Sequence, residues 1–189
     1  MENRSEKLEK EAPGSLALIQ ALVNTQYGQG RHAHTELTRP EHLRAWLMQQ
    51  GLLEDGAQVT EGDFRRIIQL REALRSLLGT NNEHELLASS IETLNHLASN
   101  APLTVRLEYD GSSRLQPDVT GVDGVVARLV SSVFTSMVDG SWSRLKVCRN
   151  DNCQKAFYDT SKNRSGAWCS MAVCGGRLKA RAYRERHEL

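Results

Sequence analysis

No cysteine occurs in the first 147 residues of this 189-residue chain. No apolar run approaches the roughly 20 residues of a membrane-spanning helix, which predicts a chain with no membrane partner. The N-terminus, MENRSEKLEKEAPG, lacks the apolar stretch of a secretory signal. That predicts a cytoplasmic protein whose thiols stay reduced. There is no G-x-S-x-G, no phosphate-binding loop and no dinucleotide fingerprint, so the sequence names no catalytic residue and predicts that the chain is not an enzyme. Internal repeats are missing too. At 39% hydrophobic and 25% charged, the composition is that of an ordinary globular chain of one or two domains.

Against that background, all four cysteines fall in one window. Cys148 and Cys153 form one C-x4-C pair and, after a 15-residue spacer, Cys169 and Cys174 form another. Each pair closes a short chelating loop, and the spacer lets the chain return so that the pairs face each other. Four thiolates complete the tetrahedral shell of one structural Zn²⁺ and leave no position for a catalytic water. Two disulfides are the bland alternative. A thioredoxin-like redox role wants C-x-x-C, which neither pair supplies.

Charge is as uneven as cysteine. Residues 1–140 carry 13 Lys+Arg against 19 Asp+Glu, a net −6, and residues 141–189 carry 11 against 4, a net +7. Four thiolates with one Zn²⁺ remove about two charges from the second part, which stays basic enough to attract polyanions.

Periodicity predicts a mainly α chain with a small β-hairpin, an α+β class. Residues 1–14 read as a charged leader, 15–140 as a helical domain, and 141–189 as a zinc finger. Ser15 is a candidate cap for a first helix ending near Gly28, and 26–38 reads as a loop. Thr38 is a candidate cap for a second helix with Pro40 in its first turn and Gly51 at its end. A third begins after Thr60, with Asp63 in its first turn and Arg65, Arg66, Arg71 and Arg75 facing outward. Asn81 or Asn82 caps a fourth, with Leu86, Leu87, Ile91, Leu94 and Leu97 inside. Leu103, Val105, Leu107 and Tyr109 point one way from a strand and Thr104, Arg106 and Glu108 the other, with a return over 114–116. Asp123 to Val138 is helical again, with Val126, Leu129, Val130, Val133, Phe134 and Met137 on its apolar side.

In the finger, residues 155–159 and 167–168 are expected to pair as a hairpin with a polar tip. The arrangement would be treble-clef-like, with Cys174 near the first turn of a final helix over 176–187. Phe157 and Trp168 are read as the finger's small core rather than as base-stacking surfaces. In the final helix Arg177, Arg181 and Arg184 make one stripe, and Leu178, Ala182 and Leu189 an apolar seam beside it. Lys179 and Arg186 widen the positive surface, and Lys155, Lys162 and Arg164 add to it from the hairpin. A charge run is often only a solvated face or a response to the helix dipole and the zinc-thiolate charge. Arginine's planar fork nevertheless suits phosphate.

The residues Trp168-Cys169-Ser170-Met171, Cys174-Gly175, Arg177, Lys179, Arg181, Tyr183 and Arg186, preceded by Cys148, Cys153, Phe157 and Asp159, resemble the signature of the CGNR zinc finger family. Upstream, Leu22-Val23-Asn24-Thr25 and Leu43, Trp46-Leu47, Gly51-Leu52 resemble the domain that accompanies this finger in bacterial stress-induced transcription regulators. The resemblance implies a DNA-binding regulator whose N-terminal domain senses a signal or pairs with a second copy. DNA contacts would fall to Arg177, Lys179, Arg181, Arg184, Arg186, Lys162 and Arg164. Gly166 and Gly176 depart from the family pattern, which has Arg and Asn there. A protein-interaction module with a purely structural finger, its basic helix lying on the acidic domain or on a partner, is the competing expectation.

In the N-terminal domain, Asn24, Thr25, Arg31 and His32 are candidates for lining a small-molecule effector pocket. His32-x-His34, with Glu36 and His42, is a weak metal motif, and solvated loop histidines are the commoner outcome.

Overall fold

The computed structural model describes residues 11–30 and 33–187. Arg31, His32 and Leu189, and most of the charged leader, lie outside the described residues. Helix α1 (Leu16–Val23) carries Leu16, Ile19, Leu22 and Val23 into the core. Ser15 stands at its start without a side-chain capping bond. Ala12, at the end of the leader, is itself buried and donates its N–H to Gln20 Oε1 at 2.6 Å. The segment expected as a loop contains a two-residue antiparallel pair, β1 (Gln26–Tyr27) with β2 (His34–Thr35). There His34 stacks on Tyr27 at 4.8 Å, and no metal cluster involves a histidine among the described residues.

Helix α2 (Pro40–Gln49) buries Leu43, Trp46 and Leu47, as their spacing predicts. Its cap is Arg39 rather than Thr38, whose hydroxyl pairs with His42 Nδ1 at 2.9 Å. Gly51 turns the chain out of the helix at φ +66°, a left-handed conformation in which a side chain would be strained. Helix α3 (Glu61–Gly79) opens on a full capping box, Thr60 Oγ1 accepting from Asp63 N at 3.1 Å and Asp63 Oδ2 accepting from Thr60 N at 3.0 Å.

Two arginines of α3 reverse their expected direction. Arg65 lies toward solvent and Arg66 is half-buried against Asp63 and Asp123, but Arg71 and Arg75 are 3% and 8% exposed. The reason lies in the spacing: 71 and 75 fall on the same helical stripe as Ile67, Leu74 and Leu78, so their stems enter the core with the aliphatic residues. Arg75 donates to Val23 O at 2.7 Å, Gln26 O at 2.6 Å, Gln154 O at 2.8 Å and Glu72 Oε2 at 3.2 Å. Arg71 donates to Glu72 Oε1 at 2.7 Å, Thr25 Oγ1 at 3.3 Å and the Gln26 side chain. Burial pulls the Arg75 pKa down, and the Glu72 carboxylate opposes that shift.

Helix α4 (Ala88–Ser99) starts later than expected, with Leu87 at its cap. Asn81 and Asn82 sit instead in a 3-10 turn, Thr80–Asn82, and their amides bond to the backbone of the C-terminal segment. Leu86 and Leu87 therefore precede the helix and are 38% and 58% exposed. The hairpin β3 (Leu103–Leu107) and β4 (Ser113–Pro117) has the expected pairing, Val105 opposite Leu115. Its apolar face is largely uncovered. Only Leu103 packs on the core, while Val105, Leu107 and Tyr109 stand in solvent, because the hairpin extends beyond the helices that cover its base.

Helix α5 (Gly121–Val138) buries Val122, Val125, Val126 and Leu129, and then continues that line through Ser132 and Ser136. The serines satisfy themselves on Arg128 O and Val133 O, each at 2.9 Å. Phe134 and Met137, expected inside, fall off this line and are exposed. By length and composition α5 could cross a membrane, yet here it is a core helix of the packed chain.

Replacing Arg75 by Met keeps an apolar stem but strips donors from three backbone carbonyls and leaves Glu72 with Arg71 alone. The expected loss is about 3 kcal/mol in urea unfolding, whereas Arg65→Met on the exposed side should change stability by less than about 0.5 kcal/mol.

Candidate metal centre and the helix it launches

Strands β5 (Leu145–Val147) and β6 (Ala156–Tyr158) pair antiparallel and bracket the first cysteine loop. This replaces the hairpin expected between the cysteine pairs. Residues 159–167 are not strand-paired, because their backbone is tied to a buried lysine instead. Leu145, Val147 and Ala156 belong to the same hydrophobic core as α1 and α3. Phe157 packs in a second, smaller cluster with Cys148 and Cys174, flanked by Cys153, Trp168 and Cys169. Phe157 is thus finger core, as expected.

The four sulfurs converge. All Sγ atoms lie within 4.8 Å of one another, with Cys153 to Cys169 at 3.6 Å and Cys169 to Cys174 at 3.7 Å. Tetrahedral Zn²⁺ at about 2.3 Å from each sulfur sets S···S near about 3.8 Å. A disulfide would need about 2.05 Å, and all four cysteines are free thiols. Electrostatics agrees. The S–H groups of Cys153 and Cys169 stabilise a thiolate on Cys148 and lower it to about 2. The same bond to Cys148 pushes Cys153 up to about 12, and bonds to Cys148 and Cys153, with burial, push Cys169 up as well. A dication is what lets four thiolates coexist at this spacing. The four cysteines hold one structural zinc ion.

The helical domain grips the first cysteine loop by its backbone. Gln154 follows Cys153 in a left-handed conformation at φ +53°, and its carbonyl is the one held by Arg75. Gly28 N donates to Cys153 O at 2.7 Å. Asn82 Nδ2 donates to Val147 O and Ala167 O at 2.8 and 2.9 Å, and Asn81 Nδ2 reaches Trp142 O and Leu145 O, each at 2.9 Å. Asn24 pairs with the backbone of Ala156 in both directions, at 2.9 and 2.8 Å. Its amide therefore ties α1 to the finger. Thr25 is fully buried, donating to Leu22 O at 2.7 Å and accepting from Arg71. Both side chains thus have protein partners.

Lys146, in the middle of β5, is 4% exposed and donates to Asp159 Oδ2 at 2.7 Å, Arg164 O at 2.5 Å and Gly166 O at 3.1 Å. Asp159 accepts in addition from Ser161 N at 3.0 Å and Gly166 N at 2.7 Å. Burial would raise the Asp159 carboxyl, but the bonds from Lys146, Ser161 and Gly166 outweigh it and hold it at about 2. Gly166 has a packing reason to be glycine: a Cβ there would stand 2.6 Å from Asp159 Oδ1. Gly176 has no such constraint, with only Met171 O at 3.8 Å.

Met171–Gly175 forms a π-helical turn capped by Ser170, whose hydroxyl accepts from Val173 N at 3.3 Å. It runs directly into helix α6 (Gly176–His187), so Cys174 lies immediately before that helix. Gly175 leaves no room for a Cβ against Met171 Sδ, which sets the close packing of this turn. On α6, Arg177, Lys179 and Arg184 are exposed and Leu178 is half-buried. Tyr183 stacks on His187 at 4.1 Å. The side chains of Arg181, Ala182 and Arg186 lie outside the described residues. Lys162 is exposed; Arg164 is too, with its guanidinium on Ser143 Oγ at 2.7 Å. Three other cations of the finger serve the fold: Lys146, Arg144 on the carbonyls of Asp159 and Ser161, and Arg149 on Glu83 at 2.8 Å.

This cysteine cluster and its helix coincide with a known family. Residues 144–187 match the CGNR zinc finger, which spans the four sulfurs and α6. Residues 16–139, well over half of the chain, match ABATE, a family described as a putative stress-induced transcription regulator. The chain belongs to the ABATE family. A comparison with curated proteins found no match. The two matches leave residues 140–143 between them, while the hydrophobic core runs across that boundary through Trp142, Leu145 and Val147.

The knot at Asp159 gives a pH prediction. Its folded pKa of about 2 lies below the ordinary 3.8, so its stabilisation is complete above 3.8 and disappears as pH falls through about 2. Acid also releases zinc from both proteins, so the informative quantity is the stability gap between wild type and Asp159→Asn. Urea unfolding should show a constant gap above about pH 5, closing on acidification toward pH 2.

Proposed function

We propose that this chain is a DNA-binding transcription regulator in which zinc is purely structural and α6 is the contact element. The observation that carries the proposal is the solvent-facing helix launched directly from the metal-ligating turn, with Arg177, Lys179 and Arg184 open. Arginine and lysine on one exposed helix suit phosphate oxygens, and Lys162 adds charge from the neighbouring loop. Arg181 and Arg186 add to the positive charge of this helix by sequence. Arg164 contributes less, since its side chain holds Ser143.

The role is non-catalytic on this reading, because four sulfur ligands complete the zinc shell. The N-terminal domain would carry the sensing or pairing role, in a bacterial cytoplasm where thiols remain available for zinc.

A second reading is favoured by the exposed apolar residues Val105, Leu107, Tyr109, Phe134 and Met137, which suit a protein partner or a second copy. On that reading α6 contacts a protein and DNA is ignored. Internal docking of α6 onto the acidic domain has less support, since Arg177, Lys179 and Arg184 face solvent.

Salt titration of DNA affinity separates the two. Neutralising about five phosphates gives a log–log slope of about −4.5, and the double change Arg177→Gln and Arg184→Gln should reduce its magnitude by about 2. A zinc-loaded protein that shows no DNA binding, or binding indifferent to salt, contradicts the proposal and favours the protein-partner reading.

A further inference from the structure

A cavity with a volume of about 740 Å³ lies where the helical domain meets the finger. One wall is α1, through Leu18 and Ala21; Leu52 comes from the end of α2, and Phe157 and Met171 from the finger. Both matched families thus contribute to it. Its size lies in the range of pockets that bury a small organic molecule.

Its polar groups are unequal. Gln20, Asn24, Ser132 and Ser170 also line the cavity, but all four have internal partners. Among the described residues, the charged groups left facing it are Arg128, Lys155 and Glu11. Arg128 is the only cation on α5, and it has no hydrogen bond or ion pair among the described residues. Lys155 has the Tyr27 ring at 5.1 Å and no carboxylate partner among the described residues. Two cations against one carboxylate favour an anion over a cation, and the aliphatic and aromatic walls favour an apolar body behind it.

We propose that this cavity is a binding site for an amphipathic organic carboxylate, its head paired with Arg128 and Lys155 and its apolar part against Leu18, Leu52 and Met171. Of the residues suggested by sequence for a ligand, Asn24 lines this cavity, with its amide on Ala156, and Thr25 does not. Cys169, Ser170 and Met171 form one wall, and Met171 packs against Gly175 at the start of α6. Occupancy would therefore bear on the turn that launches the basic helix. That consequence rests on the DNA-binding reading; the binding site does not.

The test uses the zinc-loaded full chain labelled at its methionine methyl groups. Octanoate and 1-naphthoate are titrated against their neutral counterparts 1-octanol and 1-naphthalenemethanol, and methyl shifts are followed by NMR. Met171 should move saturably with at least one carboxylate while Met137, which is outside the cavity, stays still. The neutral counterpart should bind about tenfold more weakly, and Arg128→Gln should weaken the carboxylate by about the same factor while leaving the alcohol unchanged. No saturable Met171 shift with either carboxylate, equal movement of Met137, or equal affinity for acid and alcohol would each overturn the proposal. Because the readout involves no DNA, its failure leaves the DNA-binding reading standing, and the converse also holds.

Discussion

Everything in the C-terminal quarter depends on how a buried guanidinium satisfies backbone carbonyls. Arg75 ties the end of α1, the start of β1 and the left-handed Gln154 of the cysteine loop to one point on α3. A charged group in such a place is stable only with near-complete pairing, and Glu72 supplies the opposing charge. Asn24, Asn81 and Asn82 do the same work with neutral amides. The result is a finger whose first two strands are part of the helical core, so the sulfur atoms of Cys148 and Cys153 are placed by the helical domain rather than by the metal.

Zinc then has a narrower task than a 49-residue finger would suggest. Phe157 with Cys148 and Cys174 is the whole of the second buried cluster, far too little apolar surface to hold the returning segment and α6 alone. Ligation by Cys169 and Cys174 brings that segment back to the preplaced pair, at an apparent gain of ~10–16 kcal/mol in small zinc fingers. The Lys146–Asp159 knot fixes the intervening loop without strands. Charge follows the same division: Arg144, Lys146 and Arg149 are occupied by the fold, and the charge offered outward is concentrated on α6 and Lys162.

The metal centre is the most legible part of the sequence, because zinc ligation demands four particular side chains and two matched C-x4-C loops are rare unless they hold a metal. Helix positions are legible where an aliphatic stripe marks them, as in α2 and most of α3. Arg71 and Arg75 defeat the simple rule that charge means exposure, although their spacing from Ile67, Leu74 and Leu78 points inward. Asn81 and Asn82 escape for a related reason. A polar residue before an apolar run suits a helix cap, and nothing local reveals that its amide meets strand carbonyls some 65 residues later. The alternation in β3 specifies a strand but not its burial, since a two-stranded hairpin can outrun the core that covers its base. Gly166, a departure from the family pattern, becomes intelligible only through its contact with the Asp159 carboxylate.

The central claim is therefore a division of labour: the helical domain holds β5 and β6, and zinc holds the returning turn and α6. Amide hydrogen exchange on the full chain, with zinc bound and after chelation, tests it most directly. Residues 169–187 should exchange about a hundredfold faster or more without zinc, while Leu145–Val147 and Ala156–Tyr158 change by no more than a few fold. Loss of protection in β5 and β6 together with α6, or an α6 indifferent to chelation, would contradict it.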